Sequence, residues 1–192
     1  MLRRLWLWPL CVMLVACQSH DESSMDASVT TEPASAVTTL DRDGQQGQAN
    51  WKGFGDMRFG MDEAAFRQAW GGDLNGGAAP GSDCATFAPK WARTPPELAF
   101  MLEHGRFVRY DVRGDKETAP GGGKVGMDKA KVLALYGDKV LESPAKYEAG
   151  ASTLRVMGTD SAVLIFDIGA DGKVKAWRVG VPPQIDYVEG CS

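Results

Sequence analysis

Gly60-Met61-Asp62-Glu63-Ala64-Ala65-Phe66-Arg67-Gln68-Ala69-Trp70-Gly71 returns without a gap as Gly126-Met127-Asp128-Lys129-Ala130-Lys131-Val132-Leu133-Ala134-Leu135-Tyr136-Gly137. Five of the twelve positions are identical, and Phe66 with Val132 and Trp70 with Tyr136 keep their character. A second echo follows each copy, Gly105-Arg106-Phe107-Val108-Arg109-Tyr110-Asp111-Val112 against Gly172-Lys173-Val174-Lys175-Ala176-Trp177-Arg178-Val179. Offsets of 66 and 67 residues point to one duplicated unit.

Each unit has a readable local grammar. Asp62 and Asp128 stand where an N-cap oxygen accepts orphan amide hydrogens, apolar side chains then recur at helical spacing, and Gly71 and Gly137 stop the helix. Apolar runs at residues 98–102 and 106–112, and at 152–157, 162–168 and 173–179, predict antiparallel strands, with His104-Gly105 and Asp171-Gly172 as hairpin turns. A helix layered on an antiparallel sheet, made twice, predicts an α+β fold. Two tandem helix plus antiparallel-sheet repeats, at 51–118 and 119–192, would form one layered domain.

The period of two along the final strands yields a candidate binding face. If Phe107 and Val174 face the helices, then Arg106, Val108 and Tyr110, with Lys173, Lys175 and Trp177, face the other way. That face would be basic and aromatic, and Tyr, Trp and Arg are the side chains that anchor interfaces. The reverse assignment would bury Tyr110 and Trp177 as core. Trp70 and Tyr136, at the helix ends, read as core, whereas Trp91, between Pro89 and Pro95-Pro96, lies in irregular chain and joins the candidate face as an exposed ring.

Outside the repeats the chain is built differently. Met1 to Arg4 carries two arginines, an apolar run follows to Ala16, and Cys17 comes next, the plan of an export signal over 1–16. The run is shorter than the roughly 20 residues a membrane-spanning helix needs. Residues 17–50 are polar and small, with six acids against Arg42, and predict a disordered, self-repelling tether. Its reach as a coil is on the order of 30 Å. With signal and tether removed, the overall charge of −4 leaves the remainder at about −1, no electrostatic footprint for nucleic acid.

Of the four cysteines, Cys11 leaves with the signal and Cys17 stands at the cut. Cys84 and Cys191 then remain in an exported chain, and an oxidising space favours a disulfide between them. Closing a loop of that length stabilises by roughly 4–5 kcal/mol on the chain-entropy model.

Other motifs carry little chemistry. Gly121, Gly123 and Gly126 have the dinucleotide-fingerprint spacing, but Pro120 rather than a strand precedes them, and a hinge between repeats is the simpler reading. The Asp167–Gly172 stretch lacks ligands for a calcium loop, with Gly169 at the middle position and Arg178 where a glutamate belongs. Neither His20 nor His104 has a placed catalytic neighbour, so no catalytic residue, metal or cofactor is assigned.

Leu14-Val15-Ala16-Cys17 resembles the lipobox of bacterial lipoproteins, which implies acylation of Cys17 and a permanent membrane anchor. Gln18, in place of an aspartate, implies the periplasmic side of the outer membrane in a Gram-negative envelope. The repeat, with Gly-Met-Asp opening a helix that closes at Gly71 or Gly137, and with Asp-Gly-Lys-Val in the second copy, resembles the SmpA/OmlA type of outer-membrane lipoprotein module. Two such units in tandem resemble the β-lactamase inhibitor protein family, which implies a broad sheet whose open face grips a partner protein. The resulting expectation is a non-enzymatic, protein-binding lipoprotein, with glycan binding as the alternative, since Trp and Tyr beside arginines also suit sugar rings.

Overall fold

The computed structural model describes residues 48–191. The signal, Cys17 and nearly all of the tether lie outside the described residues. Three two-residue strands come first, β1 (Ala49–Asn50), β2 (Gly53–Phe54) and β3 (Met57–Arg58), paired in that order as a small sheet. Ala49 and Asn50, at the end of the expected tether, therefore belong to the fold. Next come α1 (Glu63–Trp70), β4 (Leu74–Ala78), β5 (Cys84–Pro89), β6 (Leu98–Glu103) and β7 (Arg106–Val112). After a connection come α2 (Lys129–Tyr136), β8 (Val140–Pro144), β9 (Ser152–Met157), β10 (Val163–Ile168) and β11 (Val174–Gly180). One eight-stranded antiparallel sheet runs β4-β5-β6-β7-β11-β10-β9-β8.

The expected α+β class is thereby corrected: the described chain is mainly antiparallel β, with two helices of eight residues each rather than a helical layer in each repeat. Two turns of helix are too little to cover a sheet, and the stretches that read as loose chain between helix and first strand hold β4, β5 and β8. The outermost of these, β4 and β8, are sheet edges with largely exposed residues, so no apolar alternation marks them. Gly76 and Gly77 in β4 further weaken its signal.

The helix termini follow their capping chemistry. The Asp62 carboxylate accepts the Ala65 amide hydrogen bond at 2.9 Å, and Gly71, at φ 71°, donates its N–H to Arg67. Asp128 makes no such cap bond; its carboxylate accepts from Lys173 Nζ at 2.7 Å. The turn at His104-Gly105 has both residues at positive φ, as a two-residue hairpin requires.

Both helices press on one face of the sheet. Phe66, Val132 and Tyr136 meet Phe54, Phe87, Phe100, Phe107, Leu154 and Phe166 in a single core. Edge-to-face ring pairs such as Phe66–Phe100, with centroids 5.5 Å apart, add attraction beyond buried area. The glycine-rich connection is packed into this core. Tyr136 Oη donates to the Pro120 carbonyl at 2.8 Å and accepts from the Gly123 amide at 3.1 Å, and a Cβ on Gly123 would stand 2.4 Å from the Phe166 ring. Burial pushes the Tyr136 phenol up to about 12, so it stays a donor at any ordinary pH.

Candidate functional site

Tyr110 and Trp177 are fully buried on the helix side, which corrects their placement on an exposed face. The cause is a pair of β-bulges. Opposite Met101 and Leu102 stand Arg109 and Phe107, so Val108 is extra; opposite Asp167 and Ile168 stand Ala176 and Val174, so Lys175 is extra. Each bulge shifts the alternation by one residue, and Phe107 with Tyr110, like Val174 with Trp177, points into the same core. Tyr110 and Trp177 meet edge to face across the junction of β7 and β11, with centroids 6.0 Å apart.

The cationic members of that expected face serve local structure. Arg106 donates to the Gly60 carbonyl and Lys173 bonds Asp128, so each ties the entry of a helix to the strand it packs on. The Lys173 ammonium holds the Asp128 carboxyl below its ordinary range. Lys175, at the bulge, pairs with Glu148 at 2.7 Å.

The other face of the sheet is covered at its centre, so the expected open face is corrected as well. Residues 181–191 cross it as a strap, with a turn of 3-10 helix at Gln184–Asp186. Arg109, 4% exposed, donates to the carbonyls of Gln184 at 3.2 Å and Tyr187 at 2.6 Å. Arg178, 7% exposed, donates to the Ile185 carbonyl at 3.1 Å. Asp111 and Asp167 orient the two guanidinium groups from the sheet itself, at 2.9 and 2.7 Å. Ile185 is buried against Val163 and Ile165. The strap ends in the Cys84–Cys191 disulfide, with Cα atoms 5.4 Å apart. Arg109 and Arg178 escaped the sequence reading because their period was read without the bulges.

A further depression lies beyond the strap, at one end of the sheet. A groove of about 580 Å³ opens between the chain preceding β6 and the chain following β7. Its floor includes Leu98 and Val125, and Trp91, 66% exposed, stands at its wall. Arg113 and Lys116, both exposed, line it alongside Asp115. Arg93 is engaged instead by Glu97, at 2.6 Å, and its hydrogen bonds hold the Glu97 carboxyl at about 2. An aromatic anchor ringed by both signs of charge can hold a polypeptide segment through apolar contact at the centre and polar contacts at the rim.

Among the described residues no three His, Cys, Asp or Glu side chains gather as a metal site, and no helix is long and apolar enough to cross a membrane. His104 is exposed and lies 3.5 Å from Asp83.

No known protein family and no curated protein matches the chain. Among solved structures, the uncharacterized protein YfeY from Escherichia coli is similar over 69% of this chain and 99% of that chain, at 16% identity and a TM-score of 0.49. An extracellular protein containing an SCP domain from Bacillus anthracis is similar over 64% of this chain and 44% of its own length, at 9% identity and a TM-score of 0.42. Likenesses this distant carry no argument about activity.

Proposed function

We propose that the protein is an outer-membrane lipoprotein, held at the periplasmic side by acylated Cys17, whose folded part is a non-enzymatic module that binds another protein. The observation that carries the binding role is Trp91, whose indole projects at the wall of a groove large enough for a peptide segment. A tryptophan exposed to this degree in a protein with a full aromatic core is not needed for folding, and Trp with Arg is the pair that most often dominates interface energy. Arg113 and Lys116 would supply polar contacts around it. The Gly-Met-Asp repeat, similar to that of the SmpA/OmlA lipoproteins, supports an envelope setting.

Two measurements test this reading. Trp91→Ala should leave stability within about 0.5 kcal/mol, because the side chain is exposed. A photo-crosslinker at position 91 should give a defined protein adduct in intact envelopes, and Arg113→Ala should reduce it at least severalfold. A saturable sugar ligand at Trp91 with no protein adduct would instead support glycan binding. For the anchor, Cys17→Ser should move the protein from the membrane to the soluble periplasmic fraction; unchanged retention would refute acylation as the attachment.

A further inference from the structure

The strap adds no strand to the sheet, and backbone carbonyls, one buried aliphatic side chain and rim side-chain bonds hold it to the outer face. The carbonyls of Gln184, Ile185 and Tyr187 are read by two nearly buried guanidinium groups, and one aliphatic side chain, Ile185, fills the hollow over Val163 and Ile165. Each arginine has a carboxylate partner that stands on the sheet rather than on the strap, Asp111 for Arg109 and Asp167 for Arg178. The receptor surface is thus charge-compensated without its occupant, and need not collapse when the strap leaves. At the rim the strap adds side-chain bonds, Gln184 to Glu103, Asp186 to Arg155 and Glu189 to Tyr147. The last residue of the strap closes a disulfide to Cys84, and that bond borders a surface depression of about 450 Å³ lined also by Glu103, Lys146 and Glu189.

We propose that the outer face at Arg109 and Arg178 is a peptide-binding surface, occupied by the chain's own strap in the oxidised protein and opened to a turn-forming segment of a partner polypeptide when the Cys84–Cys191 disulfide is reduced. The occupant is defined by what the strap shows: a single turn of 3-10 helix and the residue after it presenting carbonyls to the two arginines, with one branched aliphatic side chain filling the hollow over Val163 and Ile165. The bridge matters because it tethers the strap at both ends; with the disulfide open the strap remains joined to β11 but loses its second constraint, so its effective concentration at the surface falls and a partner can displace it. The reaction needs a dithiol. Its thiolate attacks one cysteine sulfur, the S–S bond breaks to leave a mixed disulfide and a free cysteine thiolate, and the second thiol of the reductant displaces the other cysteine. The dithiol becomes a disulfide, and Cys84 and Cys191 together gain two electrons and two protons.

The test uses the full chain and a labelled synthetic peptide carrying the sequence of residues 181–190 as the probe. Binding to protein reduced with dithiothreitol, and to Cys84→Ser, should be saturable and at least tenfold tighter than to the oxidised protein, and Ile185→Asp in the peptide should abolish it. Amide exchange over residues 181–190 should rise on reduction while β10 and β11 stay protected. Equal binding in both redox states, or unchanged exchange of the strap, would overturn the proposal. Loss of protection across β10 and β11 would overturn it too, because the bridge would then hold the whole sheet rather than the strap. Should Cys84→Ser fail to fold, Cys191→Ser supplies the same opening with Cys84 intact. Dimerisation of the reduced protein in sedimentation would place a second copy's strap on the surface and overturn the partner assignment.

Discussion

Replacing Trp177 with alanine is expected to cost about 3–5 kcal/mol of stability, the range for emptying a large aromatic site in a packed core. Trp177 is fully buried, meets Tyr110 edge to face, and sits where β7 and β11 join the two halves of the sheet. Tyr110 is fixed in turn by its hydroxyl, which donates to the Asn50 carbonyl at 3.0 Å and so ties the small sheet to the large one. For a domain of this size the loss corresponds to a fall in Tm on the order of 10 °C. Trp177→Phe separates shape from polarity. The indole Nε1 has no hydrogen-bond partner among the described residues, so phenylalanine removes a buried orphan donor along with some volume and should cost clearly less than alanine. Urea titration of both variants checks this; an alanine cost below about 0.5 kcal/mol would mean an exposed ring and would refute the core placement.

That placement shows where the sequence was legible. Asp62, Gly71 and the turn at His104-Gly105 carry their structure in their own chemistry, since a cap oxygen, a left-handed glycine and a two-residue hairpin are local requirements. The pairing of Cys84 with Cys191 was legible because, once Cys11 was assigned to a signal and Cys17 to an anchor, one pair of cysteines was left. The sheet faces were not legible. One inserted residue, Val108 in β7 and Lys175 in β11, reverses every orientation beyond it, and a bulge leaves no mark on the hydrophobic pattern until the partner strand's register is known. Both insertions sit at the same place in the duplicated unit, 67 residues apart, so the repeat preserved the misreading instead of exposing it. Edge strands β4 and β8 were invisible for a different reason: with one neighbour each and mostly exposed side chains, they need β geometry but not β composition.

The fold class and the candidate surface failed together for the same cause. Reading residues 72–97 as loose chain removed β4 and β5 and made the helices look like half of each unit. Reading the final strands without bulges then sent two core rings outward and overlooked Arg109 and Arg178, the cations that the opposite face does present. Trp91 is the exception. Its neighbouring prolines placed it outside any strand, where no period could misdirect it, and it is exposed.

Breaking the disulfide is the second large effect, and its size depends on what the native state does. Cys84→Ser releases a loop spanning 107 residues, which on the chain-entropy model costs about 4.7 kcal/mol at that length. If the strap also detaches in the native state, the folded ensemble gains freedom too. A tenfold preference for the detached form returns about 1.4 kcal/mol, so with that preference a net loss of about 3 kcal/mol is expected. Absolute values for disulfide removal scatter widely, so the decisive quantity is a coupling. In the oxidised protein, Ile185→Ala empties a buried aliphatic site and should cost about 2 kcal/mol. In the Cys84→Ser background the same substitution acts on a strap already mostly undocked and should cost less than about 0.5 kcal/mol. The difference between those two costs measures how far the bridge holds the strap down. Equal costs in both backgrounds would mean that the strap stays docked without its bridge, and that the disulfide constrains only the unfolded chain.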